Sequence, residues 1–243
     1  EAGELLKSYY GRLSTGSDVA SKTSSTDLVS EADVETEQLV VARLTSERPE
    51  DGLLGEEGAD REGSSGRRWV IDPLDGTVNF LFGIPQWGVS VAVEDAEGSL
   101  AGVVYDPMRD ELWACERDGS PLLNGSVVEA GTRDDLATSM VATGFGYEER
   151  VRVVQADAIV RLLPRVRDIR RLGSAALDLC WTAAGRYDAY FERGVKPWDV
   201  AAGALLCRRA GLAVRRLEER GVAPEGILVA RGSVVDELQA LIG

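Results

Sequence analysis

The residues best able to do chemistry sit in one short stretch, WVIDPLDGTVNF (Trp69–Phe80), which sets two carboxylates three residues apart at the end of an apolar run. Pro73 fixes its own φ and bends the chain, and Asp75-Gly76 is a turn signal. A chain bent this way brings Asp72, the Leu74 carbonyl and Asp75 to one point. Carboxylates, carbonyls and water are the ligands that hard divalent cations take. Thr77 opens a short helix, where the amides of Gly76 and Thr77 face an anion such as phosphate. An ordinary Pro-x-Asp-Gly turn is the competing reading.

Other acids have the same two sides. Glu56 and Glu57 lie in GEEG, where taken alone a solvated surface loop is the usual account of such a pair. Asp199, in KPWDVAAG, stands before an apolar helix and reads as an N-cap or first-turn acid. Asp33 is expected in the first turn of a helix, and Glu192 ends the strand YDAYFE. Gly173-Ser174 opens an apolar helix, with Ser174 as its N-cap or its free amides offered to a ligand oxygen. Lys22 lies in a polar loop, where a lysine is ordinarily solvated.

Composition narrows the chemistry further. The 243 residues contain no histidine, which removes Ser-His-Asp and Cys-His catalysis and the commonest zinc ligand. The net charge of −14 repels nucleic-acid phosphate and anionic membranes, so neither a direct nucleic-acid partner nor a membrane surface is expected. Three cysteines without a CxxC spacing read as free thiols in a reducing, cytoplasmic setting. No apolar run is long enough to span a bilayer. EAGELLKSYYGRL reads as the interior of an amphipathic helix, so residues are expected to precede Glu1.

The elements that must position these groups follow from periodicity and breakers. A helix is expected over Glu1–Leu13, a polar loop over Ser14–Thr26, and a helix over Glu31–Thr45 capped by Ser30. A short strand follows at Trp69–Ile71. Gly88–Glu94 and Ser99–Tyr105 form a hairpin, Asp110–Glu116 a further strand, and Glu148–Leu163 a helix ended by Pro164. Strands at Val166–Arg171, Tyr187–Glu192, Ala213–Leu217 and Ile227–Ala230 alternate with helices at Ser174–Ala184, Val200–Ala210 and Val234–Ile242. The expected class is α/β: one domain over 1–243 made of two packed halves, an α+β half over about 1–145 and an α/β half over about 146–243.

Taken together, GEE (Gly55–Glu57), DPLDGTVNF (Asp72–Phe80), GSAALDLC (Gly173–Cys180) and WDVAAG (Trp198–Gly203) resemble the inositol monophosphatase family of magnesium-dependent, lithium-sensitive phosphatases, over nearly the whole chain. The resemblance implies a layered αβαβα sandwich and a homodimer. Its site would hold two or three Mg²⁺ ions, or Mn²⁺ in their place. Glu56 would ligate the first metal with Asp72 and the Leu74 carbonyl, while Asp72 would bridge to a second held also by Asp75 and Asp199. A third, weaker ion would sit near Glu56 through waters. Thr77, with Asp33 behind it, would orient and deprotonate the attacking water. Gly76 and Thr77 would hold phosphate through their amides. Gly173, Ser174, Ala175, Glu192, Asp75 and Asp199 would border the substrate's hydroxyls, and Lys22 matches a loop lysine near the metals.

The resemblance is less specific for the substrate. Related families take fructose 1,6-bisphosphate, 3′-phosphoadenosine 5′-phosphate or histidinol phosphate. Val78 stands where the nucleotide- and histidinol-phosphate branches often carry Lys, and RRLGSAALDLC with YDAYFE looks like the inositol phosphate branch. A bacterial member also acts as a partner in transcription and RNA processing, so a protein-contacting role is the alternative. Ser174 replaces a frequent Thr and Leu212 a frequent Gly, and neither is a proposed metal ligand.

Overall fold

The computed structural model describes residues 1–15 and 25–243. The chain opens with α1 (Ala2–Thr15) and α2 (Ser25–Glu47). Then come β1 (Gly52–Gly55), β2 (Asp60–Arg61), β3 (Arg68–Asp75), α3 (Thr77–Leu81), β4 (Gly88–Asp95), β5 (Gly98–Asp106), β6 (Glu111–Glu116), β7 (Leu122–Leu123) and β8 (Ser126–Val127). The remainder is β9 (Met140–Thr143), α4 (Glu149–Leu162), β10 (Asp168–Arg170), α5 (Ala175–Ala183), β11 (Ala189–Arg193), α6 (Pro197–Arg209), β12 (Ala213–Leu217), β13 (Gly226–Ala230) and α7 (Val235–Ile242). β1 to β8 form one sheet in the order β2-β1-β3-β4-β5-β6-β7-β8, and β9 to β13 a second in the order β10-β9-β11-β13-β12.

Side-chain alternation along the strands produces three apolar interfaces and hence five layers. Leu6, Tyr9, Val29 and Ala32 of α1 and α2 pack on Leu74 and Val89 of the first sheet and on Trp87, which precedes β4. The opposite face of that sheet presents Ala92, Val104 and Trp113 to α5 and α6, whose other sides meet Tyr190, Ile227 and Val229 of the second sheet. Stepping one residue along the same strands, Phe191, Leu228 and Ala230 face Leu162 of α4 and Leu238 of α7. The result is the αβαβα sandwich that the resemblance implies. Each buried Leu, Val or Phe contributes about 1.5–3 kcal/mol, so the middle interface, the largest of the three, fixes the α5–α6 layer rigidly between the sheets.

Two expectations need correction. α2 begins at Ser25 rather than after Ser30, because Val29 and Ala32 belong to the buried stripe and carry the helix back towards its N-terminus. Ser30 is an exposed interior residue, and Asp33 lies in the body of the helix instead of its first turn. The strand expected at Trp69–Ile71 runs on through Asp72, Pro73, Leu74 and Asp75. It does so because its register against β4 shifts between Asp72 and Asp75, and a bulge tolerates a proline that has no N–H to give. Lys22 and most of the expected polar loop lie outside the described residues. Among the described residues no helix is long and apolar enough to cross a membrane, and all three cysteines are free and buried.

Candidate active site

Each piece of the site is placed by a local device. β1 runs parallel to β3 with Gly55 opposite Ile71. The Glu56 amide donates to Ile71 O at 3.2 Å, so Glu56 emerges beside Asp72. The loop carrying it is pinned from α2: Glu37 accepts from the Glu57 amide at 2.9 Å and from the Ala59 amide at 2.8 Å. In a regular strand Asp72 and Asp75 would point to opposite faces. The register shift between them lets both border one cleft, together with Leu74. The Leu74 amide donates to Asp72 Oδ1 at 3.0 Å, and Thr77 Oγ1 donates to the Leu74 carbonyl at 3.0 Å.

Gly76 makes the sharp turn from β3 into α3. Its φ is 100°, and a Cβ there would stand 2.9 Å from Gln86 O, so only glycine fits without strain. Behind the turn, Phe80 and Trp87 meet edge to face at 4.9 Å and Tyr10 closes on both rings at 5.4 Å. Asn79 donates from Nδ2 to Gln86 O and to Leu172 O, both at 2.7 Å, and so ties α3 to the segment leading into α5.

The opposite wall comes from the second half of the chain. Asp199 sits in the first turn of α6 and accepts from the Lys196 amide at 2.6 Å. Asp75 reaches the N-terminus of α5, where its Oδ2 accepts from Ser174 Oγ at 2.5 Å and from the Ala176 amide at 2.7 Å. Ser174 is the N-cap as expected, accepting from the Leu177 amide at 3.4 Å. Glu192 is held by Tyr190, whose hydroxyl donates to Oε2 at 2.7 Å. Gly144 leaves it room, since a Cβ there would lie 2.0 Å from that carboxylate.

A cleft of about 410 Å³ joins these parts. Glu56, Asp72, Leu74, Asp75, Gly76, Thr77, Gly173, Ala175, Glu192 and Asp199 all line it. Asp33 and Ser174 are buried behind its walls. Glu56, Asp72 and Asp199 each bring one carboxylate oxygen within 4.8 Å of the other two. None of them, nor Asp75, forms an ion pair with Lys or Arg among the described residues.

Burial and crowding, only partly offset by Lys196 and Arg171, show in the proton affinities. Burial, then the charge of Asp199, pushes Glu56 up to about 7, although the residue stands at the rim. Asp75 rises to about 8 for the same two reasons. Asp72, enclosed completely, is held well above the usual carboxylate range by burial and then by Asp75. Burial raises Asp199 as well, against the Lys196 amide that lowers it. Asp33 reaches about 8 through burial and the nearby Glu57, and its Oδ1 has no hydrogen-bond partner among the described residues. Glu192 reaches about 7 through burial.

The donor set fits a hard divalent cation. Every candidate ligand atom is an oxygen, and Mg²⁺ binds such oxygens at about 2.0–2.1 Å, which puts opposite ligands about 4.2 Å apart. The three carboxylate oxygens, all within 4.8 Å of one another, lie close enough together for one such ion to reach them.

The model of the inositol monophosphatase family matches residues 1–242. The chain belongs to the inositol monophosphatase family. It is 42% identical over 234 residues to inositol-1-monophosphatase SuhB of Mycobacterium tuberculosis, covering 92% of this chain and 81% of that one. It is 43% identical over 211 residues to Nus factor SuhB of Xylella fastidiosa, covering 86% and 76%. Among solved structures, the extragenic suppressor protein suhB from Bartonella henselae superposes with a TM-score of 0.85 at 34% identity, covering 99% of this chain and 94% of that one. As a member of this family of phosphatases, the protein is an enzyme.

Two residues around the cleft escaped sequence reasoning. Glu37 holds the Glu56 loop, but its i, i+4 neighbours give no hint of a contact 20 residues downstream. Asp178, inside α5, is 1% exposed with both carboxylate oxygens unpartnered, and it sits within electrostatic reach of Glu192 and Asp75. The signal for Asp178 was available: an acid in the apolar run AALDLC is out of place unless it is buried for a reason.

Proposed function

We propose that the protein hydrolyses inositol monophosphate, or a similar polyol phosphate, to the free alcohol and inorganic phosphate, with Mg²⁺ as cofactor. The observation that carries this reading is the convergence of Glu56, Asp72 and Asp199, with Asp75 beside them, none in an ion pair with Lys or Arg among the described residues. Glu56, Asp72, the Leu74 carbonyl, Asp75 and Asp199 would hold the ions, which supply positive charge for the phosphoryl oxygens and lower the pKa of water. Thr77 donates a hydrogen bond from its hydroxyl to the Leu74 carbonyl. Its Oγ1 lone pairs are then free to accept a hydrogen bond from the attacking water and aim it at phosphorus, and a carboxylate behind it would take the proton. Asp33, buried and partly unpartnered, backs that hydroxyl. The Gly76 and Thr77 amides receive the phosphate oxygens. On the leaving side, Ala175 and Glu192 meet the polyol hydroxyls, and Tyr190 fixes the Glu192 carboxylate so that it can orient them.

The identity of Mycobacterium tuberculosis inositol-1-monophosphatase SuhB as a 42% relative supports inositol monophosphate as the first substrate to test. Phosphate release from inositol 1-phosphate, fructose 1,6-bisphosphate, 3′-phosphoadenosine 5′-phosphate and histidinol phosphate, with Mg²⁺ and with or without Li⁺, decides it. Inositol 1-phosphate should be turned over and lithium should inhibit; no release from any of the four at any Mg²⁺ concentration overturns the reading. The relatives named Nus factor SuhB favour a second, protein-contacting role. Affinity capture on the purified transcription machinery tests that role, and no retention above a bovine albumin control contradicts it. The three buried thiols suit a cytoplasmic location.

A further inference from the structure

One helix of the outer layers is apolar on two sides. α4 buries Val151, Gln155, Ala158 and Leu162, and the last two join the core under the second sheet. These residues recur every three or four positions and account for one side of the helix. Val153, Ala156, Val160 and Leu163 follow one another at intervals of three, four and three. At about 100° per residue this second set lies opposite the first. Val153 is 59% exposed, Val160 72%, and Leu163, in the turn that ends the helix, 53%.

The other outer helices differ. Among the described residues of α1, α2 and α7, none exposes a large apolar side chain. Their solvent sides carry residues such as Glu31, Glu35 and Gln38 of α2, or Asp236 and Glu237 of α7. Valine has no local reason to stand at an exposed helix position, because its branched Cβ lowers helix propensity. Single exposed apolar residues are ordinary, but an alternation of three and four is the seam of a two-helix contact. The seam from Val153 to Leu163 is about 15 Å long.

Charge narrows the occupant. Between 149 and 167 the chain has five arginines and two acids, against 27 bases and 41 acids in the whole. Arg152 flanks one edge of the stripe, and Arg150 and Arg161 flank the other beside Asp157. Arg150 pairs with Glu148 and Arg165 with Glu237, both at 2.7 Å, in exposed pairs that solvent weakens. Among the described residues Arg152 and Arg161 donate only to the backbone carbonyls of Gly146, Tyr147 and Leu241. A second copy of this chain would bring mostly arginine flanks against arginine flanks. Nucleic acid offers phosphates but nothing to cover the apolar seam, and helices that lie in lipid use Trp, Phe and Leu rather than valine. An acidic amphipathic helix answers both features: its apolar residues meet the seam and its carboxylates meet the arginines. Charges act over about 8 Å at physiological salt, so such a helix meets the local arginines more than the net charge of the chain.

We propose that the outer side of α4 is a docking surface for an acidic amphipathic helix of another protein, held by Val153, Ala156, Val160 and Leu163 between flanking arginines. None of the four lines the acidic cleft, so docking there leaves the proposed catalytic groups untouched. Two labelled synthetic helices of about three heptads serve as probes, both with Leu at a and d, one with Glu and the other with Lys at e and g. Each is titrated with the full chain by fluorescence anisotropy at pH 7.5 and about 0.15 M NaCl. Saturable binding of the Glu helix is expected. Binding should be at least about tenfold weaker for the Lys helix, and for the Glu helix on V153S/V160S, with Mg²⁺-dependent phosphate release unchanged. If V153S/V160S does not melt cooperatively, R152Q/R161Q, which keeps the stripe, should weaken the Glu helix at least about threefold. No saturable binding of the Glu helix, or equal binding in the variant that folds, overturns the proposal. It is also overturned if V153S/V160S alone lowers the sedimentation coefficient, which makes the stripe a contact between copies. Stripe-dependent co-sedimentation with phosphatidylserine vesicles, which makes it a lipid contact, overturns it too.

Discussion

Carboxylates at the surface of the first sheet and carboxylates in the cleft are the same chemical group in opposite circumstances. Asp95 lies 2.6 Å from Arg117, and that hydrogen bond holds its carboxyl below the usual range. Asp72 has no such partner, and burial among Asp75, Glu56 and Asp199 holds it far above. Where the fold needs a charge to be stable, it provides the counter-ion itself. Where it leaves several carboxylates without an ion pair in one place, among the described residues, the arrangement could hold a divalent cation, as the proposed function requires. The arrangement is a cost in stability accepted for function.

Neutralising single members of the two sets separates them. Asp72→Asn and Asp75→Asn should each lower turnover about 10³-fold or more, while raising the melting temperature of the metal-free protein because a repelling charge is gone. Near-normal turnover in Asp75→Asn would remove the basis for the ligand assignment. Asp95→Asn should leave turnover unchanged and change stability little, because solvent screens an exposed pair, measured by urea unfolding. Between these extremes, Glu37→Gln keeps the shape of the residue that pins the Glu56 loop but weakens its grip on the Glu57 and Ala59 amides. A loss of about 10–100-fold in Mg²⁺ affinity or activity is expected, and an unaltered Mg²⁺ dependence would show that the loop holds itself.

The smallest effect is the pH dependence of the metal-free stability. Glu56 and Asp75 have folded-state pKa values of about 7 and about 8, above their ordinary values of 4.5 and 3.8. Between those limits the folded state binds more protons than the unfolded one, so stability must fall as pH rises from about 4 to about 8. Saturating Mg²⁺ should flatten the slope. A metal-free stability that climbs over this window would contradict the picture of buried, crowded carboxylates.

Much of this was legible in the residues. The Asp72–Phe80 motif placed its own turn, helix start and carboxylates because Pro73, Gly76 and the Asp-Gly pair act locally. The N-cap at Ser174 was readable for the same reason. What was missed depends on distant contacts. Glu37 matters because α2 packs under the Glu56 loop, and Asn79 because it reaches Leu172 across 93 residues. The start of α2 was misplaced because Ser30 looks like a cap until Val29 is known to be buried. Strand β1 went unseen because LLG is too short to show alternation; its pairing with β3 defines it.

The central claim is that the cleft is an open carboxylate site completed by a divalent cation. Its most direct test is the melting temperature of the unmodified protein at pH 7.5, in EDTA and across a millimolar MgCl₂ series with ionic strength held constant by NaCl. A cation that binds only the folded state at about 100 times its Kd adds about 2.7 kcal/mol, so a saturable rise of several degrees is predicted, reduced or abolished in Asp72→Asn. A melting temperature that stays the same across the series, or that rises equally in Asp72→Asn, would contradict the account.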